Sequence, residues 1–154
     1  MSRKKIITFL ALAVIMVGGF FAVKQYLDAK AHEAYIASSD YVADQLIETL
    51  KTGDYGNAYS NLFSDRMKQN YTVNYWKDQI FPVVKGISEA PRLVSKKSAN
   101  TVDTAAPSPY PQGSNAQQYL YDYRINNMTY RITFVVVDSA GKWQVNEFDG
   151  AFQL

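Results

Sequence analysis

The chain has 154 residues, a formal net charge of +2, 12 tyrosines, one histidine and no cysteine. The cysteine and histidine counts exclude disulfides, cysteine-built metal sites and histidine clusters, and no metal or cofactor is expected. Arg3, Lys4 and Lys5 supply three of the 16 basic residues, so 13 face 14 acids from Ile6 onward; nucleic acid, which needs a basic stripe, is not an expected partner.

In chain order the first element is Ile6–Val23, IITFLALAVIMVGGFFAV, without charge or proline. As a helix it spans about 27 Å, close to the ~30 Å hydrocarbon core of a bilayer. The basic residues before it predict a cytoplasmic tail over 1–5, a single transmembrane helix over 6–23, and the remainder periplasmic or extracellular at the cell membrane. A cleaved signal peptide is the alternative. Its nearest cleavage pattern, Ala29-Lys30-Ala31, contains a lysine, and the apolar run exceeds the usual signal core, so an anchor with the lipid bilayer as partner fits better. Gly18, Gly19 and Ala22 would let another membrane helix approach closely. Residues 24–39 are polar and alanine-rich, without proline or glycine, and predict a helical stalk. His32 on it is an ordinary solvated side chain.

An outer domain is predicted over 40–154. Ser39 or Asp40 caps a helix over Tyr41–Lys51, with Val42, Leu46, Ile47 and Leu50 on one apolar face. Gly53 ends it and Asp54 caps a second helix that runs to about Gln69, carrying Tyr55, Ala58, Tyr59, Leu62, Phe63 and Met67 inward. Thr72 caps a third, Val73 to Val84, burying Trp76, Ile80 and Phe81, with Pro82 fraying it and Gly86 closing it. Arg92–Lys97 reads as a short strand. Residues 101–116, with Pro107, Pro109, Pro111 and Gly113, read as a mobile loop.

The last segment alternates. Gln117–Ile125 and Met128–Val137 flank Asn126-Asn127, a two-residue hairpin turn. That turn pairs Ile125 with Met128, Tyr123 with Tyr130, Tyr121 with Ile132 and Tyr119 with Phe134 on an apolar face. The other face pairs Asp122 with Arg131, Arg124 with Thr129 and Leu120 with Thr133, which weakens Asp122 as a catalytic acid. A four-residue turn, Asp138–Gly141, then sets Trp143 against Val136, Val145 against Phe134 and Glu147 against Ile132. In that register Glu147 enters the apolar face; a bulge would turn Phe148 inward instead.

The fold class is therefore α+β: three helices covering one face of a curved antiparallel sheet behind the anchor. Leu50-Lys51-Thr52-Gly53-Asp54-Tyr55, the Tyr55/Ala58/Tyr59 repeat, Trp76 and the closing Asp138-Ser139-Ala140-Gly141-Lys142-Trp143-Gln144-Val145 resemble the nuclear transport factor 2-like (cystatin-like) superfamily over roughly Asp40 to Phe148. The resemblance implies a cone with a pocket between sheet and helices. Some members are isomerases or dehydratases using a pocket acid or histidine, and many bind ligands or partners. In layout the chain is similar to the inner-membrane assembly factors of type IV secretion systems.

Two functions compete. The first is a membrane-anchored, non-catalytic interaction module, an accessory or assembly subunit whose partners are other membrane protein subunits; tethering raises effective concentration. The second is a pocket for a small apolar ligand lined by Tyr121, Tyr123, Tyr130, Ile132, Phe134 and Trp143, with Glu147 as the one candidate base. Against that role stands a Glu147 at the strand end, partly wet and paired with a lysine. No nucleophile elbow, phosphate loop or metalloprotease motif is present, and the balance is toward a protein that is not an enzyme.

Overall fold

The computed structural model describes the backbone of residues 3–80, 91–99, 115–125 and 127–153, and side chains over 16–78, 91–99, 115–125 and 127–148. The chain divides into two units, Met1–Ile36 and Ala37–Leu154. The first is a single helix, α1 (Arg3–Ile36). The predicted transmembrane anchor is corrected here. Among the described residues no helix is long and apolar enough to cross a membrane. The physical reason is that the uncharged stretch with described side chains, Met16–Val23, is short. Lys24, Asp28, Lys30 and Glu33 follow it on the same helix. Side chains 6–15, the first part of the predicted span, lie outside the described residues.

The second unit is α+β, with a four-stranded antiparallel sheet in the order β1 (Arg92–Ser98), β2 (Ala116–Ile125), β3 (Met128–Ser139), β4 (Lys142–Gln153). Its first helix, α2 (Ser39–Thr52), begins at Ser38, whose hydroxyl accepts from the Tyr41 N–H at 3.3 Å. It ends at Gly53, which takes the left-handed conformation (φ 83°) that spares glycine the Cβ penalty. Val42, Ala43, Leu46, Ile47 and Leu50 are buried on the predicted face.

The second predicted helix is broken. Asp54 caps a single turn, α3 (Tyr55–Asn57), which widens into a π-helical stretch, Ala58–Leu62. Phe63 is then extended, and Ser64 caps a separate helix, α4 (Asp65–Asn70), accepting from the Met67 N–H at 3.1 Å. The interruption lets Phe63 bridge Val145 in parallel, with the Ser64 N–H donating to the Val145 carbonyl at 2.9 Å. Apolar periodicity did not register it, because Leu62, Phe63 and Met67 are inward on either geometry. Thr72 caps α5 (Val73–Tyr75), which continues as a π-helical stretch Trp76–Ile80. Trp76 is fully buried. The expectations for Phe81, Pro82 and Gly86, and for the loop over 101–114, fall outside the described residues.

The β2–β3 register has every pair expected of it, from Ile125–Met128 to Tyr119–Phe134. The β3–β4 register differs. Ser139 pairs with Lys142, so the turn has two residues, Ala140 and Gly141, both at positive φ (55° and 82°). The Asp138 carboxylate accepts from the Gly141 N–H at 2.8 Å and steadies it. Trp143 thus stands opposite Asp138 and Val145 opposite Val136. The register then shifts, leaving Asn146 as an extra residue, with Glu147 opposite Val135 and Phe148 opposite Phe134. This is the bulged geometry, and Phe148 is buried.

Candidate functional site

The helices and the inner face of the sheet enclose one continuous core. Of the predicted pocket residues, Tyr121, Tyr123, Ile132 and Phe134 are buried within it, and Tyr130 and Trp143 pack against it half-buried. The space between sheet and helices is occupied by rings. Tyr119 and Tyr121 both stack on Phe134, with centroids 5.5 and 5.8 Å away, and Tyr123 stacks on Tyr130 at 5.5 Å. Trp76 meets Phe63 and Phe148 edge-on at 4.7 and 4.9 Å. Ring centroids at these separations are in van der Waals contact and leave no room for a ligand between them.

Glu147 is not among these rings. The bulge at Asn146 turns it to the outer face, where its half-exposed carboxylate lies 3.6 Å from Arg66. The predicted base therefore stands outside the apolar interior, with an arginine rather than a lysine beside it. Gly18 and Gly19 lie on α1 with nothing within 4 Å of where a Cβ would stand, and Ala22 is exposed on the same helix. Among the described residues no three His, Cys, Asp or Glu side chains lie close enough to hold a metal ion.

A polar cluster that sequence reasoning missed ties α2 to β1 and β2. The buried Tyr119 hydroxyl donates to the Asp40 carboxylate at 2.8 Å and lies 2.8 Å from the Ser39 hydroxyl. Lys96 of β1 donates to both Asp40 oxygens at 2.8 and 3.0 Å, with its ammonium 5.6 Å from the centroid of the Tyr119 ring. The Lys96 hydrogen bond holds the Asp40 carboxyl below the usual carboxylate range. Burial, then the Asp40 charge, push the Tyr119 phenol well above its ordinary value. Such a phenol stays protonated, which suits a clamp and not an acid–base catalyst. No signal in the sequence pointed to it: the short run Arg92–Lys97 does not alternate, its register against β2 passes through a bulge, and the third partner lies on a helix. Deeper in, the Tyr123 hydroxyl and Trp76 Nε1 are buried with no hydrogen-bond partner among the described residues. Burial raises the Tyr123 phenol to about 12.

Two cavities among the described residues border the core. One, about 290 Å³, lies beside α4 and is lined by Arg66, Asn70, Asn146 and Glu147 together with the core rings Phe134 and Phe148. The other, about 450 Å³, opens at the start of β1 and is lined by Arg92, Leu93, Val94, Asp122, Arg124, Thr129 and the predicted pocket residue Tyr123. Asp122 is bound by Arg131 through two hydrogen bonds of 2.8 and 3.0 Å. Its charge is thereby compensated. Comparison of the chain with family models, with characterised proteins and with solved structures finds no match.

Proposed function

We propose that the protein is a non-catalytic interaction module, an accessory or assembly subunit of a larger protein complex, whose α+β domain follows the plan of the nuclear transport factor 2-like superfamily with its pocket closed. The single observation that carries the reading is the filled interior. The place where such a domain would hold a ligand is taken by Trp76, Phe63, Phe134, Phe148 and four stacked tyrosines. Base catalysis in an apolar pocket loses its acid, because Glu147 faces outward beside Arg66. The chemistry that remains is on the surface.

The test is purification of the full-length tagged protein from its native cells under mild conditions, followed by sizing and mass spectrometry. Stoichiometric recovery of other subunits is the expected result. Recovery of the protein alone, together with a small apolar compound that raises its melting temperature, would overturn the reading in favour of a ligand-binding protein.

A further inference from the structure

The cavity beside α4 combines features that the interaction-module reading does not use. It has about 290 Å³, near the low end of the ~300–1,000 Å³ of small-molecule sites. Three side-chain amides line it: Asn70 from the end of α4, Gln118 from β2 and Asn146 from the bulge of β4. The Ser64 hydroxyl donates to the Asn146 carbonyl oxygen at 2.9 Å and fixes that side chain. Arg66 and Glu147 line the cavity too, 3.6 Å apart. Gln118, Val135 and Glu147 are register neighbours across β2, β3 and β4, so the sheet carries two of these polar groups in one row. The bulge that takes Glu147 out of the apolar interior is what brings it here. An aromatic ledge adjoins. Tyr71 lines the cavity, and its ring lies 5.3 Å from that of Tyr75, tilted by 32°. Tyr75 is 45% exposed.

The lining selects by chemistry. A ligand of either sign meets its like charge, because a guanidinium and a carboxylate stand 3.6 Å apart. An apolar ligand would strip water from the amides and leave them unpaired, which is unfavourable. An amide side chain offers a donor and an acceptor side by side, a carboxylate accepts and a guanidinium donates. The ligand that answers all three is a ring of hydroxyl groups, each both donor and acceptor. Such a ring also has a C–H face, which suits the negative face of an aromatic ring. A peptide offers one backbone donor and one acceptor per residue along an extended line, too few for so small a space. We propose that the cavity and the Tyr71–Tyr75 ledge bind a neutral sugar ring, with the polar side chains pairing its hydroxyls and the tyrosines covering its C–H face. The proposal goes beyond the subunit reading and does not depend on it.

The experiment titrates the full chain with glucose, N-acetylglucosamine, cellotriose and triacetylchitotriose, read by saturation-transfer NMR. A cationic glucosamine trimer, an anionic galacturonate trimer and a glycine–serine peptide serve as controls. Binding of a neutral sugar at or below about 10 mM is expected, with saturation strongest at its C–H protons. Tyr75→Ala and Asn70→Ala should each weaken it roughly three- to tenfold, and raised salt should leave it unchanged. Both side chains are exposed, so neither substitution endangers the fold. Tighter binding of a trimer than of its monomer would make the ligand a glycan chain, and equal binding a free sugar; either keeps the site. No binding of any of the four sugars, or binding indifferent to both substitutions, would overturn it. Tighter binding of either charged trimer would overturn the neutral ligand, and tighter binding of the peptide would replace the sugar with a protein segment. None of these failures touches the subunit reading, which co-purification tests on its own.

Discussion

Along β4 the sheet ends against the rest of the chain; along β1 it ends in exposed side chains. The β4 edge takes a parallel bridge from Phe63, a backbone hydrogen bond from Ser64 and a bulge whose Asn146 side chain accepts from the Ser64 hydroxyl at 2.9 Å. Behind that edge lie the closest ring pairs among the described residues, Trp76 with Phe63 and with Phe148. The β1 edge has Leu93 and Val94 half exposed and one inward anchor, Lys96 to Asp40. The difference assigns the two edges different work: stability is concentrated at β4, and β1 contributes surface.

The largest effect should come from breaking the closed side. Trp76 is fully buried between Phe63 and Phe148. Replacing it with alanine opens a cavity among side chains that cannot all collapse into it. Trp76→Ala should cost about 3–5 kcal/mol, the range for aromatic truncations in a core. Urea denaturation of the full chain would measure it. A loss below about 1 kcal/mol would mean that the rings behind β4 are not a packed core, and the filled-interior argument would fail with it.

Next in size is the response of that interior to alkali. Tyr119 and Tyr123 are buried and their phenols titrate above the ordinary value of 10.0, Tyr123 near 12. The unfolded chain ionises first, so it binds fewer protons than the folded one above pH 10, and stability falls as pH rises. The slope is about 1.4 kcal/mol per pH unit for each such tyrosine, and Tyr123 ceases to add to it near pH 12. Tyr123→Phe should remove its share of the slope. At neutral pH it should cost little or even stabilise, since its hydroxyl is buried without a partner among the described residues. Melting curves between pH 7 and roughly pH 11 would show both. A neutral-pH loss above about 1.5 kcal/mol would show that the hydroxyl is bonded, as a pocket residue's would be.

Ser64 tests the closure of β4 itself. Its hydroxyl caps α4 and bonds Asn146 of the bulge. Ser64→Ala should cost about 1–2 kcal/mol, more than an isolated cap at an exposed helix end. It should also raise hydrogen exchange at amides of α4 and of β4 together. Exchange confined to α4 would show that the bulge holds without it.

How much of this was legible follows from where each constraint lies in the chain. The β2–β3 pairing is local, and Asn127, at φ 66°, sits in a turn that asparagine tolerates; alternation and turn chemistry agreed and the register followed. The β3–β4 turn places Ala140 at φ 55°, a conformation costing an alanine roughly 1–2 kcal/mol, so residue type pointed to a longer loop. The bulge that turns Glu147 outward depends on Asn146 meeting Ser64, 82 positions apart. The helix break at Phe63 depends on Val145 in the same way. Helical periodicity reads the burial of Leu62, Phe63 and Met67 correctly whether the helix runs on or stops. The Asp40–Lys96–Tyr119 clamp joins three elements, and no pattern within one of them announces it. The membrane span was read from Ile6–Val23 and the basic residues before it, whereas among the described side chains α1 offers only Met16–Val23 uncharged before Lys24.

That clamp gives the smaller acid-side effect. Lys96 keeps the Asp40 carboxyl below its ordinary 3.8. The pair therefore contributes above pH 4 and is lost as pH falls through the folded value. Both side chains are partly exposed, 37% for Lys96 and 48% for Asp40, and solvent screening limits such a pair to about 0.2–1 kcal/mol. Lys96→Met should lower stability by that amount at pH 7, and the two stability curves should converge below about pH 3. Parallel curves down to that pH would mean that Lys96 stabilises by packing on Tyr119 and not through the carboxylate.

The smallest effect belongs to the open edge, and it limits the comparison most strictly. Leu93 stands half exposed opposite Tyr121, and Val94 occupies the irregular position beside it. Truncating either to alanine removes apolar surface that is mostly in water already, so Leu93→Ala and Val94→Ala should each change stability by no more than about 0.5 kcal/mol. Surface apolar residues are common singly, but two adjacent on a strand edge that pairs with nothing among the described residues add a template for aggregation that stability does not require. If both substitutions are neutral in urea denaturation, the β1 edge takes no part in holding the fold. If either costs more than about 1.5 kcal/mol, something covers the edge in the free protein. The two edges would then differ only in which part of the chain closes them.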